Sequence, residues 1–426
     1  MTIAKLIAFT AALTCSCMFA SHGQTLCAGV NMQRNGFVTS AGLRTEPAIR
    51  WSRSLGVPAQ SATQPIVDQA GNIYVTGAAP GSNDKAIADV PTRGALVSFD
   101  PQGAERWRYE WTWEPKTGTS SQLSVPAMVP DDGIVVGFRQ GWLRCFDCRD
   151  GALRWERDLS ADSAPITSAP VCDSQGNLYV YVRNAGDMHK IDSTTGETLW
   201  THRFADGILG HASSPTLSLD EKTVYIGRST AENVSYLYAI HADSGTQAWA
   251  WSPETAQDHS FAWSIPMLLG KTLIVQDELL ADVYAVKDLG GVHAFQWSKK
   301  FEGSGAPRVL ASDGQTIFTV TMETHPIVRA IGLDGADRWT VAMTEGTGIG
   351  GMIVTRDTLY FGLDGTGAIH AMDTSSGTVL WKKRVGRVGG NFSEGLAIGP
   401  DGTVYAGVDG TGEFPADAVV VALGGS

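Results

Sequence analysis

The chain has 426 residues, of which 43% are hydrophobic and 18% charged. That is ample material for a packed core, and it excludes a disordered chain. The net charge is −12 with no run of Lys or Arg, which argues against a nucleic-acid-binding surface and suits solubility.

Met1–Lys5 is a short, weakly positive start, and the apolar stretch from Leu6 to about Ala20 is too short to span a membrane comfortably. Residues 1–23 are read as a signal peptide cut after Ala20 or Gly23. Cys15 and Cys17 offer a second route, a lipid anchor, although neither follows a good lipobox. Gln24–Arg44 is rich in Gly, Asn, Ser and Thr and reads as a flexible tether. No later segment has about 20 apolar residues in a row, so the body is expected to be soluble.

From residue 45 onward the chain repeats. Trp51, Trp107, Trp155, Trp200, Trp249, Trp297, Trp339 and Trp381 recur at intervals of 42 to 56 residues, the length of a four-stranded propeller blade. Six of them have a glycine four residues upstream (Gly103, Gly151, Gly196, Gly245, Gly335 and Gly377), where a tight turn needs positive φ. One copy reads in full over 164–202. Its strands are Thr167–Val171, Leu178–Val182 and Met188–Asp192, with a fourth beginning at Glu197 and carrying Trp200. Pro65, Pro126, Pro170, Pro215, Pro266 and Pro307 fall near the middle of the first strand. Proline cannot donate to a ladder, so this strand is an edge, the one facing a central channel. The tryptophans are read as docking each blade on the next.

After Trp381 only three strands remain, near Ser393–Ile398, Thr403–Gly407 and Ala418–Leu423. The missing fourth is Ala48-Ile49-Arg50-Trp51. The prediction is an all-β chain: an eight-bladed propeller over 45–426, closed by pairing of the N-terminal strand with the C-terminal strands.

Trp111 and Trp113 are placed in an inter-blade connection, and Trp263 just before a channel strand; at a channel mouth such aromatics suit a partner or ligand. Arg308 and Glu394 are the charges placed in channel strands, with His211 preceding another, so the three are candidates for a polar funnel. His189 and His370 share one repeat position in blades that are not adjacent, which argues against a shared metal. With residues 1–23 removed, Cys27, Cys145, Cys148 and Cys172 remain; Cys145 and Cys148 form a C-x-x-C that reads as small buried residues, with a structural disulfide among Cys145, Cys148 and Cys172 left open. Gly346–Gly351 matches G-x-G-x-x-G, but a strand follows where a dinucleotide site needs a helix. There is no G-x-S-x-G, H-E-x-x-H or P-loop.

The unit A-x-D-x-x-[ST]-G-x-x-x-W, best matched by Lys190–Trp200 and Ala371–Trp381, resembles the repeat of the pyrroloquinoline-quinone (PQQ) propellers over nearly the whole chain from Thr45. The resemblance implies tryptophan docking between blades and one of two functions. One branch holds quinoprotein dehydrogenases, with PQQ and Ca²⁺. The other is non-catalytic and serves outer-membrane β-barrel assembly. Dehydrogenases of the first branch usually carry adjacent cysteines and long insertions. This chain has no Cys-Cys, and its larger inserts are confined to Thr76–Arg93, Trp111–Ser121 and Val408–Pro415. The expectation is therefore a monomeric, exported scaffold without cofactor or metal. It would be periplasmic, outer-membrane-associated or at the cell surface, would bind envelope proteins, and would touch the membrane only through an N-terminal lipid. The alternative is a PQQ/Ca²⁺ dehydrogenase, or a binder of another small ligand such as a carbohydrate, using the channel.

Overall fold

A computed structural model describes residues 25–58, 61–78, 92–113, 123–138, 141–159, 166, 168–183, 185–204, 211–230, 234–254, 259–262, 264–305, 310–390, 392–414 and 417–425. Eight antiparallel sheets form a ring, each with four strand positions running from the channel to the rim. Blade 3 is the plainest, with strands Val171–Cys172, Asn177–Val182, Asp187–Asp192 and Thr198–Arg203 in order. In blades 1, 4, 6 and 7 the inner strand is split into two short pieces, both paired with the second strand. Among the described residues no helix is long and apolar enough to cross a membrane.

The ring closes as the terminal strands predict. Ala48–Pro58 is the outer strand of blade 8 and pairs antiparallel with Asp417–Gly424, with Ile49 opposite Leu423 and Ser52 opposite Val421. The other strands of blade 8, Phe392–Ile398 and Val404–Asp409, come from the carboxyl end. Pairing the two ends in one sheet leaves no blade short of a strand.

Why the inner strand breaks is legible in its chemistry. Pro65 and Pro215 fall in the gap between its two pieces, and Pro126, Pro170 and Pro266 stand directly before it, so these prolines interrupt or start the strand instead of lying within it. Pro307 lies outside the described residues. Two residues before the proline stands a Ser or Thr. The hydroxyls of Thr63, Ser124, Ser168, Ser213 and Ser264 each accept the second strand's N–H, from Thr76, Gly137, Tyr181, Gly227 and Gln276, at 2.8 to 3.3 Å. A side-chain oxygen thus joins the ladder where the backbone turns away, and a buried N–H is not left unpaired.

Every tryptophan of the repeat reaches the next blade. Nε1 of Trp200 donates to Ala242 O at 2.9 Å, Trp107 to Cys148 O at 2.9 Å, and Trp339 to Thr374 O at 2.9 Å. Trp51, Trp155 and Trp297 bond Pro101 O, Ser193 O and Leu333 O in the same way. In blade 5 the turn differs, and Trp249 donates to the Asp288 carboxylate at 3.0 Å with the His293 ring 5.2 Å away. Trp51, Trp107, Trp249 and Trp381 are buried, whereas Trp155, Trp200, Trp297 and Trp339 are half-buried, so the docking contact is not always a full burial.

The turn glycine has two duties. Gly245 has φ 69°, as a tight turn requires, and a Cβ there would stand 2.7 Å from the Trp200 ring of the blade before it. The same close approach recurs between Gly151 and Trp107 at 2.5 Å, so the spacing of Gly and Trp couples neighbouring blades as well as shaping one turn.

Candidate functional site

The channel holds the chain's own N-terminal segment. From composition, 24–44 reads as a tether, but Thr25, Cys27, Ala28, Val30, Arg34 and Val38 are buried. The cause is the inner edge of seven of the blades, which carries an N–H that the segment takes. Val67 N–H donates to Thr25 O at 2.8 Å, Met128 to Leu26 O at 3.0 Å and Leu217 to Met32 O at 3.0 Å. Leu268 donates to Gln33 O at 2.9 Å, Ser312 to Asn35 O at 2.8 Å and Val354 to Gly36 O at 2.8 Å. Ile398 N–H donates to Thr25 Oγ1 at 3.2 Å. Blades 1, 2 and 4 to 8 are thereby tied to one segment of twelve residues, 25–36.

Blade 3 joins through Arg34. Its Nη2 donates to Ala169 O at 2.9 Å and Pro170 O at 3.1 Å, its Nε to Pro215 O of blade 4 at 3.1 Å, and its Nη1 to Ala28 O. Only 2% of Arg34 is exposed, and among the described residues its bonds all go to main-chain carbonyls. Burial lowers the pKa of this guanidinium from its ordinary value and raises that of the nearby Cys27 thiol, with the two groups opposing the effect in each other. Carbonyl dipoles stabilise the charge that burial disfavours, and the planar fork of Arg suits several carbonyls at once.

From the hub the chain runs outward beside blade 7. Gly42 N–H donates to Asp357 Oδ1, Leu43 N–H to the Tyr360 hydroxyl, and Arg44 pairs with Asp373 at 2.7 Å. Leu43 O accepts from Trp381 Nε1 at 2.6 Å, the place where a third-to-fourth-strand turn of blade 8 would stand if the chain were continuous there.

The candidates read from sequence are dispersed. Trp111 does not lie in a connection: the outer strand of blade 1 extends over Glu105–Trp113. Its indole is buried, packs over Gly94 and meets Phe138 edge-to-face at 5.0 Å, so it offers a partner little surface. Trp113 ends that strand, His211 starts the inner-strand piece His211–Ala212, and Glu394 lies within Phe392–Ile398; the side chains of these three lie outside the described residues. Trp263 and Arg308 lie there entirely. Among the described residues the channel holds the charge of Arg34, which by composition belongs to the tether. Its only sequence signal was an isolated Arg between Asn and Gln residues.

Cys27, Cys145, Cys148 and Cys172 are buried free thiols, and burial pushes Cys145 and Cys148 up to about 12. Gly348–Ile349 within the G-x-G-x-x-G is an inner-strand piece of blade 7. His189 and His370 are buried; His189 Nδ1 bonds Thr201, and His370 stacks on Phe361 at 5.5 Å. Among the described residues no group of three or more His, Cys, Asp or Glu side chains converges as metal ligands would.

The carbonyls of the described hub are a poor match to the site a PQQ-bound calcium ion needs. Ca²⁺ takes six to eight oxygen ligands that usually include carboxylates, and the hub supplies neutral carbonyls already engaged by a buried cation.

The family model described as outer membrane protein assembly factor BamB matches residues 44–251, 92–330 and 324–411, together nearly the whole ring. The chain belongs to this BamB-like family of PQQ propellers. Of solved structures, BamB from Moraxella catarrhalis is similar at 17% identity and TM-score 0.60, over 88% of this chain and 97% of that one. Quinohemoprotein alcohol dehydrogenase ADHIIG from Pseudomonas putida HK5 is similar at 14% identity and TM-score 0.68, over 95% and 80%. A europium-containing methanol dehydrogenase is similar at 14% and 0.67, over 91% and 90%. At such identities these neighbours show the shared fold alone. No curated protein sequence matches the chain.

Proposed function

We propose that this BamB-like propeller is an exported, non-catalytic scaffold that binds protein partners in the bacterial envelope. One observation carries the reading: the inner edges around the channel are occupied by residues 25–36 of the same chain, with the Arg34 guanidinium buried among the channel carbonyls. A channel filled in this way favours work done on the outer surfaces, by connections at one rim. The match to the assembly-factor family supports the same reading. So does the apolar stretch at Leu6–Ala20, which suits export to the periplasm or outer membrane with no spanning segment in the ring.

The test is a crosslinking pull-down from envelope extracts, read by mass spectrometry, beside a reconstitution with PQQ and Ca²⁺. The scaffold reading expects one set of crosslinked peptides clustered on one rim and reproduced with a purified partner, with no dye-linked dehydrogenase activity. Uptake of PQQ with calcium accompanied by that activity would overturn it.

A further inference from the structure

The segment at the hub is covalently part of the chain, yet it is held as a ligand is held. The ring closes without it. Ala48–Pro58 pairs with Asp417–Gly424, and Trp51 of blade 8 bonds Pro101 O of blade 1, both outside the channel. The blades offer the hub a circle of N–H groups, and six of the acceptors are main-chain oxygens that any residue could supply. Two side chains are read as well: Thr25 by the main chain of Ile398, and Arg34 by the carbonyls of Ala169, Pro170 and Pro215. The segment is also bent against its own preference: Val30 has φ 76° and Arg34 φ 56°, left-handed conformations that a β-branched and a long side chain rarely adopt. Hydrogen bonds within the segment (Val30 N–H to Cys27 O, Gly36 N–H to Gly29 O) hold its turns, and contacts with the ring hold those turns in the channel.

We propose that the channel is a peptide-binding site whose resident occupant is the chain's own residues 25–38, and that it takes peptides able to adopt the same turned path and carrying an arginine at the position of Arg34. This holds whether or not the protein is an envelope scaffold. The circle of edge N–H groups supplies sequence-tolerant affinity, as sheet edges do for added strands. The carbonyl cage supplies selectivity, since a planar guanidinium spans acceptors on two blades while an ammonium presents its donors at a point. Residues 39–47 keep the resident peptide at an effective concentration in the millimolar range, which favours it over a free competitor.

The test uses the full chain with a specific protease site inserted at Ala41, which is exposed. After cleavage, the fragment ending at Ser40 stays with the ring through size-exclusion chromatography and is displaced by a fluorescent synthetic peptide of residues 25–40. Saturable binding is expected, weakened about ten-fold by Arg34→Lys and about 100-fold by Arg34→Ala in the peptide. Near-UV circular dichroism of the ring tryptophans is expected to survive the cut. Three results would overturn the proposal: a folded ring that releases the fragment and binds no peptide, an Arg34→Ala peptide that competes as well as the parent, or loss of the tryptophan signal on cleavage.

Discussion

Nε1 of Trp381 donates to Leu43 O at 2.6 Å, joining two residues 338 apart in sequence. It is the docking bond of blade 7, made with a chain segment that stands in for the turn blade 8 lacks. Trp381→Phe keeps a ring but removes the donor, so a cost of about 1–2 kcal/mol is expected in denaturant unfolding. The distinguishing readout is hydrogen exchange: protection should fall at residues 42–46 more than at the blade 7 strands. Unchanged exchange there would mean that the bond does not hold the entering segment.

Trp200 and Gly245 form the ordinary version of this joint. Trp200→Ala should cost about 2–4 kcal/mol, less than for a fully buried indole because Trp200 is half-buried. Gly245→Ala should cost about 2–4 kcal/mol, from positive φ and from a Cβ 2.7 Å from the indole. Because the steric part needs the indole, the double variant should be less destabilised than the sum. Strict additivity in urea unfolding would show that the two residues do not meet.

His370 should make stability depend on pH. Burial, with Lys382 beside it, lowers its pKa to about 4, against about 6.5 unfolded. Between those values the unfolded chain binds a proton that the folded chain refuses, so stability rises with pH across the window and is lost as pH falls through it. The full difference is about 3 kcal/mol. His189 is shifted in the same direction by burial. His370→Phe should flatten part of the slope in unfolding free energies measured from pH 4 to 7. An NMR titration that finds His370 near its ordinary pKa would refute the assignment.

The four cysteines at 27, 145, 148 and 172 should be present as thiols. Burial raises all four pKa values and closes access, so iodoacetamide at pH 8 should leave them unmodified in the native protein. After unfolding without reductant, all four should react, as read by intact mass. Protection that persists until reductant is added would mean a disulfide.

The blades were legible in the sequence because their rules are local. Strand alternation, a turn glycine and a tryptophan four residues later act within one hairpin, and repetition at 42 to 56 residues multiplies the signal. Closure was legible too, since an unpaired strand at each end implies the other. The connections were harder: Trp111 reads as part of a loop, yet Gly94 opposite it leaves room for an indole, so the strand continues.

The eightfold ring and its closure thus follow from sequence alone, because the residues that cause them are identifiable side chains at fixed spacing. The hub does not. Arg34 is held by carbonyls 135, 136 and 181 residues away, and the N–H groups that anchor its neighbours lie on separate blades. Main-chain donors and acceptors are the same in every residue, so nothing in the letters marks them as partners. Only the folded ring, by turning its inner edges toward one axis, gives a segment with the composition of a tether its buried place.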